Sequence, residues 1–361
     1  MCRNSQGVLP DFQIRDLAGQ GSVSASTALS DDQFQPASLD LRLGRYAHRV
    51  RASFLAGAGR DVGQRIREYE MHRIDLIDGA VMEKGCVYVV ELQERLDLDP
   101  DVGAAANAKS STGRLDILTR LVVDGGTEFD RVEPGYSGRL YAEVCPRSFS
   151  IKVQTGSRLN QIRFRRGIRN LSDSELKQLQ PKHGLVAGTA TIDGGIGFSV
   201  DLERRDGPVG FKARPHAGIV EVDKVGKYRS ADFWDPVHAA DNHIILDPGS
   251  FYILVSRESV SIPPDLAAEM MPYIAMAGEF RVHYAGFFDP GFGYAMAGGS
   301  GSRGVLEVRC HEVPFLLEHG QIVGKLVFEH MAGAPERLYG VSGKSNYQGQ
   351  QLKLSKHFRL D

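Results

Sequence analysis

Four cysteines in 361 residues, with no Cys-x-x-Cys pair among them, leave little material for a metal site or a disulfide framework. Cys2, Cys86, Cys145 and Cys310 stand far apart in sequence, and none lies near a histidine at zinc-ligand spacing, so no zinc is expected. The pattern is that of reduced thiols in a cytoplasmic protein. No apolar run approaches the length of a membrane span, and the N-terminal stretch lacks the apolar core of a signal peptide; no membrane partner is expected. Excess charge is missing too. Lys and Arg number 43 against 45 Asp and Glu, a net of -2, which provides no basic footprint for nucleic acid. Any phosphate binding must therefore come from a local cluster of donors. What is present, 42% hydrophobic and 24% charged residues, is the composition of a globular chain with enough apolar material for about two domains.

The chain repeats itself. Gly249 minus Gly85, Tyr252 minus Tyr88, and Pro264-Asp265 against Pro100-Asp101 all give an offset of 164. Glu307-Val308 echoes Glu143-Val144 at the same offset of 164, as do Gly320 and Gly156, and Phe328 and Phe164. Between these blocks Asp289-Pro290-Gly291-Phe292 pairs with Glu133-Pro134-Gly135-Tyr136 at an offset of 156, so the repeats differ in length on either side of this turn. Several matches in register indicate a duplicated unit.

Short alternating segments separated by Gly, Pro and Asp turns predict strands. In the first repeat these are Cys86–Leu92, Gly138–Val144, Ile151–Val153 and Ile162–Phe164. Their counterparts are Phe251–Val255, Gly304–Arg309, Pro314–Leu317 and Val323–Phe328. Strands at this spacing imply a sandwich or barrel. The capping pattern Ser172-Asp173-Ser174-Glu175 predicts a connector helix ending before Pro181, and Pro264–Met271 is a second helix candidate. The resulting division is 1–172, a helical linker at 173–181, a diverged second unit at 182–334, and a polar tail at 335–361.

Three clusters carry chemistry. Lys109-Ser110-Ser111-Thr112-Gly113-Arg114 crowds two cations and three hydroxyls together, the donors a polyphosphate needs, although a solvated Ser-rich loop has the same composition. Glu133-Pro134-Gly135-Tyr136 turns into a strand through Tyr141 and Ala142 to Glu143, a glutamate that is either exposed or buried for acid-base work. The tail from Tyr339 to Gln351 is glycine-rich and polar, suited to a lid or to a frayed end.

Together these clusters resemble the bacterial dCTP deaminases of the dCTP deaminase/dUTPase superfamily. The resemblance is carried by Gln35-Pro36-Ala37-Ser38-Leu39-Asp40-Leu41-Arg42-Leu43-Gly44, then a basic residue with Ser-Ser-x-x-Arg. After these come the acidic-Pro-Gly-aromatic hairpin, a strand ending on glutamate, a segment with Gln161, and a terminal Tyr-Gln-Gly-Gln motif. It implies a mainly β fold of two tandem dUTPase-like distorted barrels or sandwiches with few short helices. The implied activity is deamination of dCTP to dUTP by water attack at cytosine C4, with magnesium arriving on the triphosphate and a homo-oligomer, a trimer by preference.

Residue by residue, the resemblance places Lys109, Ser110, Ser111 and Arg114 around the phosphates, with Ser110 and Arg114 also bordering the base. Glu143 takes the catalytic position, flanked by Tyr141 and Ala142. Glu133 takes that of the carboxylate reading the sugar hydroxyl; Gln161, Tyr339 and Gln350 complete the substrate contacts. Asn346 stands where the lid lysine is expected, with Lys344 as its replacement.

The second repeat has lost the loop, with Tyr273-Ile274-Ala275 and Gly278 at the matching positions, but keeps His283, Asp289 and Glu307. The first repeat has Arg120 where the second has His283. Family sites lie between trimer neighbours, so two assignments stand open. One uses the loop and hairpin of the first repeat from adjacent chains, with Glu143 catalytic, and is the favoured one. The other joins the first-repeat loop to the second-repeat hairpin, with Glu307 catalytic. Competing functions are a dUTPase-like or bifunctional enzyme that makes dUMP, and a non-catalytic regulator that binds dCTP, dUTP or dTTP.

Overall fold

A computed structural model describes residues 6–203, 207–272, 280–283, 286–341 and 345–359. It is mainly β, as the alternation implied. In the first repeat, strands Ile117–Val123, Ser137–Pro146, Val87–Asp97, Leu43–Val50 and Glu70–Asp75 lie side by side in one sheet. Val102–Ala108 and Asn160–Arg166 pair at the centre of another, flanked by Arg131–Val132 and Ser38–Asp40. Leucines, isoleucines and valines on the inward positions of both sheets form a common core.

The second repeat rebuilds this pattern. Phe280–His283, Ser302–Cys310, Phe251–Val260 and Gly210–Ala213 follow one another in one sheet, and Leu266–Pro272 pairs with Ile322–His330 in the other. Even the small ribbon recurs: Ile151–Val153 pairs with Ala80–Met82, and Phe315–Glu318 with His243–Leu246. The duplication legible in the sequence is thus a duplication of topology.

Two local expectations change. Leu266–Pro272 is a strand, not a helix, and pairs over its whole length with Ile322–His330. Ala and Met favour a helix here, but a full ladder of backbone hydrogen bonds outweighs local propensity. The connector helix runs past Pro181, spanning Asp173–His183 and closing on Gly184 at φ 59. Ser172 and Glu175 form its capping box, as anticipated. Helices Asp11–Gly19 and Val62–Tyr69 carry no sequence signal strong enough to have been expected.

The repeats do not hang apart. Val220–Glu221 adds in parallel to the edge of Ile151–Val153, and Trp234, Phe251, Ile253 and Val305 of the second repeat join the core of the first. Phe149 meets Phe233, Trp234 and Phe358 edge-on, at centroid distances of 5.5, 5.4 and 6.5 Å. Replacing Phe149 with alanine is expected to cost about 3–5 kcal/mol. Calorimetry should show both repeats melting together at a lower temperature; separate transitions would mean that this seam does not couple them.

Candidate active site

Strand Val102–Ala108 delivers the chain to Lys109, which is extended, and then to a single helical turn, Ser110–Gly113. The turn leaves Arg114 buried, at 3% exposure, pointing away from its own repeat. It lines a cavity of about 420 Å³ whose other walls belong to the second repeat and the tail. Lys109, Ser110, Ser111, Arg114 and Gln161 come from the first repeat, Asp289, Val305 and Glu307 from the second, and Tyr339, Tyr347 and Gln350 from the tail. Three segments far apart in sequence thus converge on one space.

Arg114 organises them. One terminal nitrogen donates to Gln350 Oε1 at 2.8 Å and the other to the Lys353 carbonyl at 3.1 Å, while the guanidinium lies over the Tyr347 ring at 3.9 Å. Its Nε has no hydrogen-bond partner and stands 3.9 Å from Glu307 Oε1, beyond hydrogen-bond length. Glu307 is 4% exposed, and burial pushes its carboxyl up to about 8 against the pull of Arg114. Among the described residues no other side chain approaches that carboxyl closely enough to bond it. A buried carboxyl facing an unfilled N–H across a cavity is a pair awaiting a third group.

Asp289 is held differently. Arg163, fully buried on the first repeat's Asn160–Arg166 strand, donates to its carboxylate at 2.8 Å, and the guanidinium stacks on Phe287 at 4.0 Å. Burial nevertheless moves Asp289 above the usual carboxylate range. Gln161 is oriented by donating to Asn107 Oδ1 at 3.0 Å.

The tail is seated rather than frayed. Gln348 donates to the carbonyl of Gly291 at 3.0 Å and accepts from the N–H of Gly293 at 3.0 Å. Gly291 sits at φ 97, and a Cβ there would lie 2.7 Å from the backbone nitrogen of Tyr339, so the hairpin turn and the tail can meet only through glycine. Burial against Phe292 and the neighbouring tail raises the Tyr339 phenol above its ordinary value. Beyond the cavity Ser355 donates to the carbonyl of Ser111, and Leu354 enters the core.

Several expected site residues lie elsewhere. Glu143 is 1% exposed but tied to Arg120, whose Nε and a terminal nitrogen both reach its Oε1. Arg120 also donates to Ser53 and stacks on Phe129 at 3.7 Å. The segment carrying helix Val62–Tyr69 packs Ala56, Val62 and Ile66 against Tyr141 in a separate small core. Glu143, the favoured catalytic candidate, thus lies off this cavity within the chain, whereas Glu307 lines it. The Glu143 carboxylate already has a cation, and an inserted segment covers the sheet beside it. Tyr141 and Ala142 are buried in cores away from the cavity, and the strand facing it is that of Val305 and Glu307. Glu133 is exposed and paired with Arg131 at 2.7 Å, also off the cavity. Arg120 opposes Glu143 in the sheet as His283 opposes Glu307, so the inferred exchange of these two residues is one of register. The His283 side chain, Lys344, and the decayed loop at Tyr273–Ala275 and Gly278 lie outside the described residues.

Sequence reasoning missed Asp40, Arg163, Val305, Tyr347 and Lys356. Asp40 and Tyr347 stood inside motifs without being singled out, and the others act through contacts that only the folded chain creates.

The chain matches two family profiles: "2'-deoxycytidine 5'-triphosphate deaminase (DCD) N-terminal domain" over residues 5–168, and the corresponding C-terminal domain over 172–358. It is similar to the crystal structure of 2'-deoxycytidine 5'-triphosphate deaminase from Agrobacterium tumefaciens. The identity is 53%, with a TM-score of 0.88 over 91% of this chain and 99% of that one. A protein of Methanosphaera stadtmanae named "dCTP deaminase, dUMP-forming" is 28% identical over 50% of this chain and 89% of its own length. The dCTP deaminase of Natronomonas pharaonis is 27% identical over 44% of this chain and 79% of its own.

Proposed function

Since the chain belongs to the 2'-deoxycytidine 5'-triphosphate deaminase family, a family of enzymes, we propose that it hydrolyses dCTP to dUTP and ammonia with Glu307 as the proton shuttle. The observation that carries this reading is the unfilled Nε of Arg114, 3.9 Å from the buried Glu307 carboxyl, both facing one cavity built by both repeats.

Water must lose a proton as it attacks C4, N3 must gain one, and the departing amine another. A carboxylate beside C4 takes the first proton and passes it to N3. The same group then moves a proton from the new hydroxyl to the amine, leaving a carbonyl at C4 and free ammonia. Glu307 suits this because its ionisation lies close to working pH, which balances availability of the base against strength of the conjugate acid. Arg114 faces the charge that develops, and Ser110 supplies a hydroxyl to hold the water. Lys109 and Ser111 would bind phosphates, Asp289 the sugar, and the tail would close over the base.

Magnesium finds no prepared cage: among the described residues no three metal-ligating side chains converge. The carboxylates nearest the loop are engaged, Asp40 by Lys109 and Asp32 by Arg158 at 3.0 Å. Any magnesium is therefore assigned to the nucleotide's own phosphates, where it neutralises charge.

Some relatives are named dUMP-forming, and that reaction needs a second carboxylate to activate water at the α-phosphate. Asp289 is the only hairpin carboxylate lining the cavity among the described residues, and its bond to Arg163 favours a fixed binding role. Separating products after incubation with dCTP tests this; dUMP without free dUTP would overturn it.

Base-first chemistry has a pH signature. The kcat/KM for dCTP is expected to rise to a plateau above about pH 8 as Glu307 loses its proton in the free enzyme. A profile that instead declines through that region would reverse the order of proton transfers.

A further inference from the structure

A second cavity, of about 340 Å³, adjoins the first. The two share Asp40, Lys109, Ser111 and Lys356, whereas Glu307, Asp289 and Gln350 line only the first. The shared wall therefore lies at the loop end of the site, away from the groups assigned to base and sugar. Arg158, Gln154 and Asp223 continue it into the second cavity.

Charge at this wall is uneven. Lys109 is neutralised by Asp40, and Arg158 by Asp32 with Asp40 3.9 Å away. Lys356 is different: among the described residues no carboxylate makes an ion pair with it. It is partly buried, and burial, followed by the nearby Lys109 cation, holds its ammonium below the usual lysine range against the pull of the Asp40 and Asp223 carboxylates. Such a cation, half-buried beside another and ion-paired with neither carboxylate, gains from the arrival of a further anion. Its backbone serves the fold independently: the N–H donates to Tyr347 Oη and the carbonyl accepts from Gly226. Structure thus accounts for the main chain at this position and not for the ammonium.

We propose that Lys356 is a substrate-binding residue that grips the outer phosphates of the nucleotide, so that the site distinguishes a nucleoside triphosphate from a monophosphate. The inference rests on the deaminase reading for the identity of the nucleotide, but its phosphate chemistry can be tested separately. An ammonium on the loop side of the cavity completes a cationic arc with Lys109 and Arg158 around the end of the polyphosphate, leaving the base to the opposite wall.

The test compares Lys356→Gln and Lys356→Arg with the unaltered chain. For Lys356→Gln the KM for dCTP should rise about ten-fold with kcat changed less than two-fold, while the dissociation constant of dCMP stays unchanged. Lys356→Arg should restore most of the affinity. Inorganic tripolyphosphate should raise the unfolding midpoint of the unaltered chain and of Lys356→Arg but not that of Lys356→Gln. Equal weakening of dCTP and dCMP, or full stabilisation of Lys356→Gln by tripolyphosphate, would overturn the proposal. An unaltered chain that binds tripolyphosphate through Lys356 yet leaves dCTP intact would support the phosphate role and overturn the deaminase reading.

Discussion

Glu307→Gln should lower kcat/KM for dCTP by about 10²–10⁴-fold, whereas Glu143→Gln should leave it within about three-fold. Glutamine keeps the volume and one hydrogen-bonding oxygen but cannot move a proton. Glu307 has nothing to do in the free protein except face the cavity, so its loss falls on chemistry. Glu143 holds Arg120, and its loss should appear as about 1–3 kcal/mol of stability, because Arg120 stays partly solvated and can rehydrate. Reversal of the two phenotypes in an ammonia-release assay would sink the assignment.

Stability should move in the opposite direction at residue 307. The folded state keeps a proton on Glu307 up to about pH 8, whereas the unfolded chain releases it near 4.5. In that window the native state binds more protons, so stability falls as pH rises, by up to roughly 4 kcal/mol. Glutamine has no proton to lose and escapes this fall. Glu307→Gln should therefore denature at higher urea than the unaltered chain at pH 8, with the difference shrinking toward pH 4.5. A carboxyl kept at such a cost to folding is one held for its chemistry.

Arg114→Lys should be nearly as damaging to catalysis, by about 10²–10³-fold. Lysine keeps the charge but has one nitrogen where the guanidinium reaches Gln350, Lys353, the Tyr347 ring and the vicinity of Glu307 at once. With Gln350 released, the tail loses its central tie to the loop, so backbone amides around Tyr347–Gln350 should exchange with solvent faster. Lost activity with unchanged exchange would confine Arg114 to the chemical step and separate it from the tail.

Much of this was legible in the sequence, for reasons of pattern. A conserved offset between repeats survives because insertions collect in loops, so the topology could be expected before any coordinates. The loop at Lys109–Arg114 and the tail at Tyr339–Gln350 announce themselves as dense donors in polar, hinged segments. The choice between Glu143 and Glu307 could not be read, because both lie at equivalent positions of equivalent strands. It turns on Arg120 opposing one of them and on a segment near Val62–Tyr69 folding over the same sheet. Glu133 looked better than it is because it lies on the same local motif as Glu143, while Asp289 owes its place to Arg163 of the other repeat. Lys356 lies six residues past the recognisable tail motif and gains meaning only once Leu354 and His357 are buried around it.

Arg309 of the second repeat reaches across to Asp116, two residues beyond Arg114, and Ser148 donates to the same carboxylate at 2.6 Å. Together with the shared cavity and the Arg163–Asp289 pair, this means that the two halves of the site are tethered by one backbone and clipped by ion pairs. Their meeting is an event within a molecule, at an effective concentration that dilution cannot lower. Where a site is divided between separate chains, competence depends on encounter. Here the walls of this cavity come together with the folding of a single polypeptide.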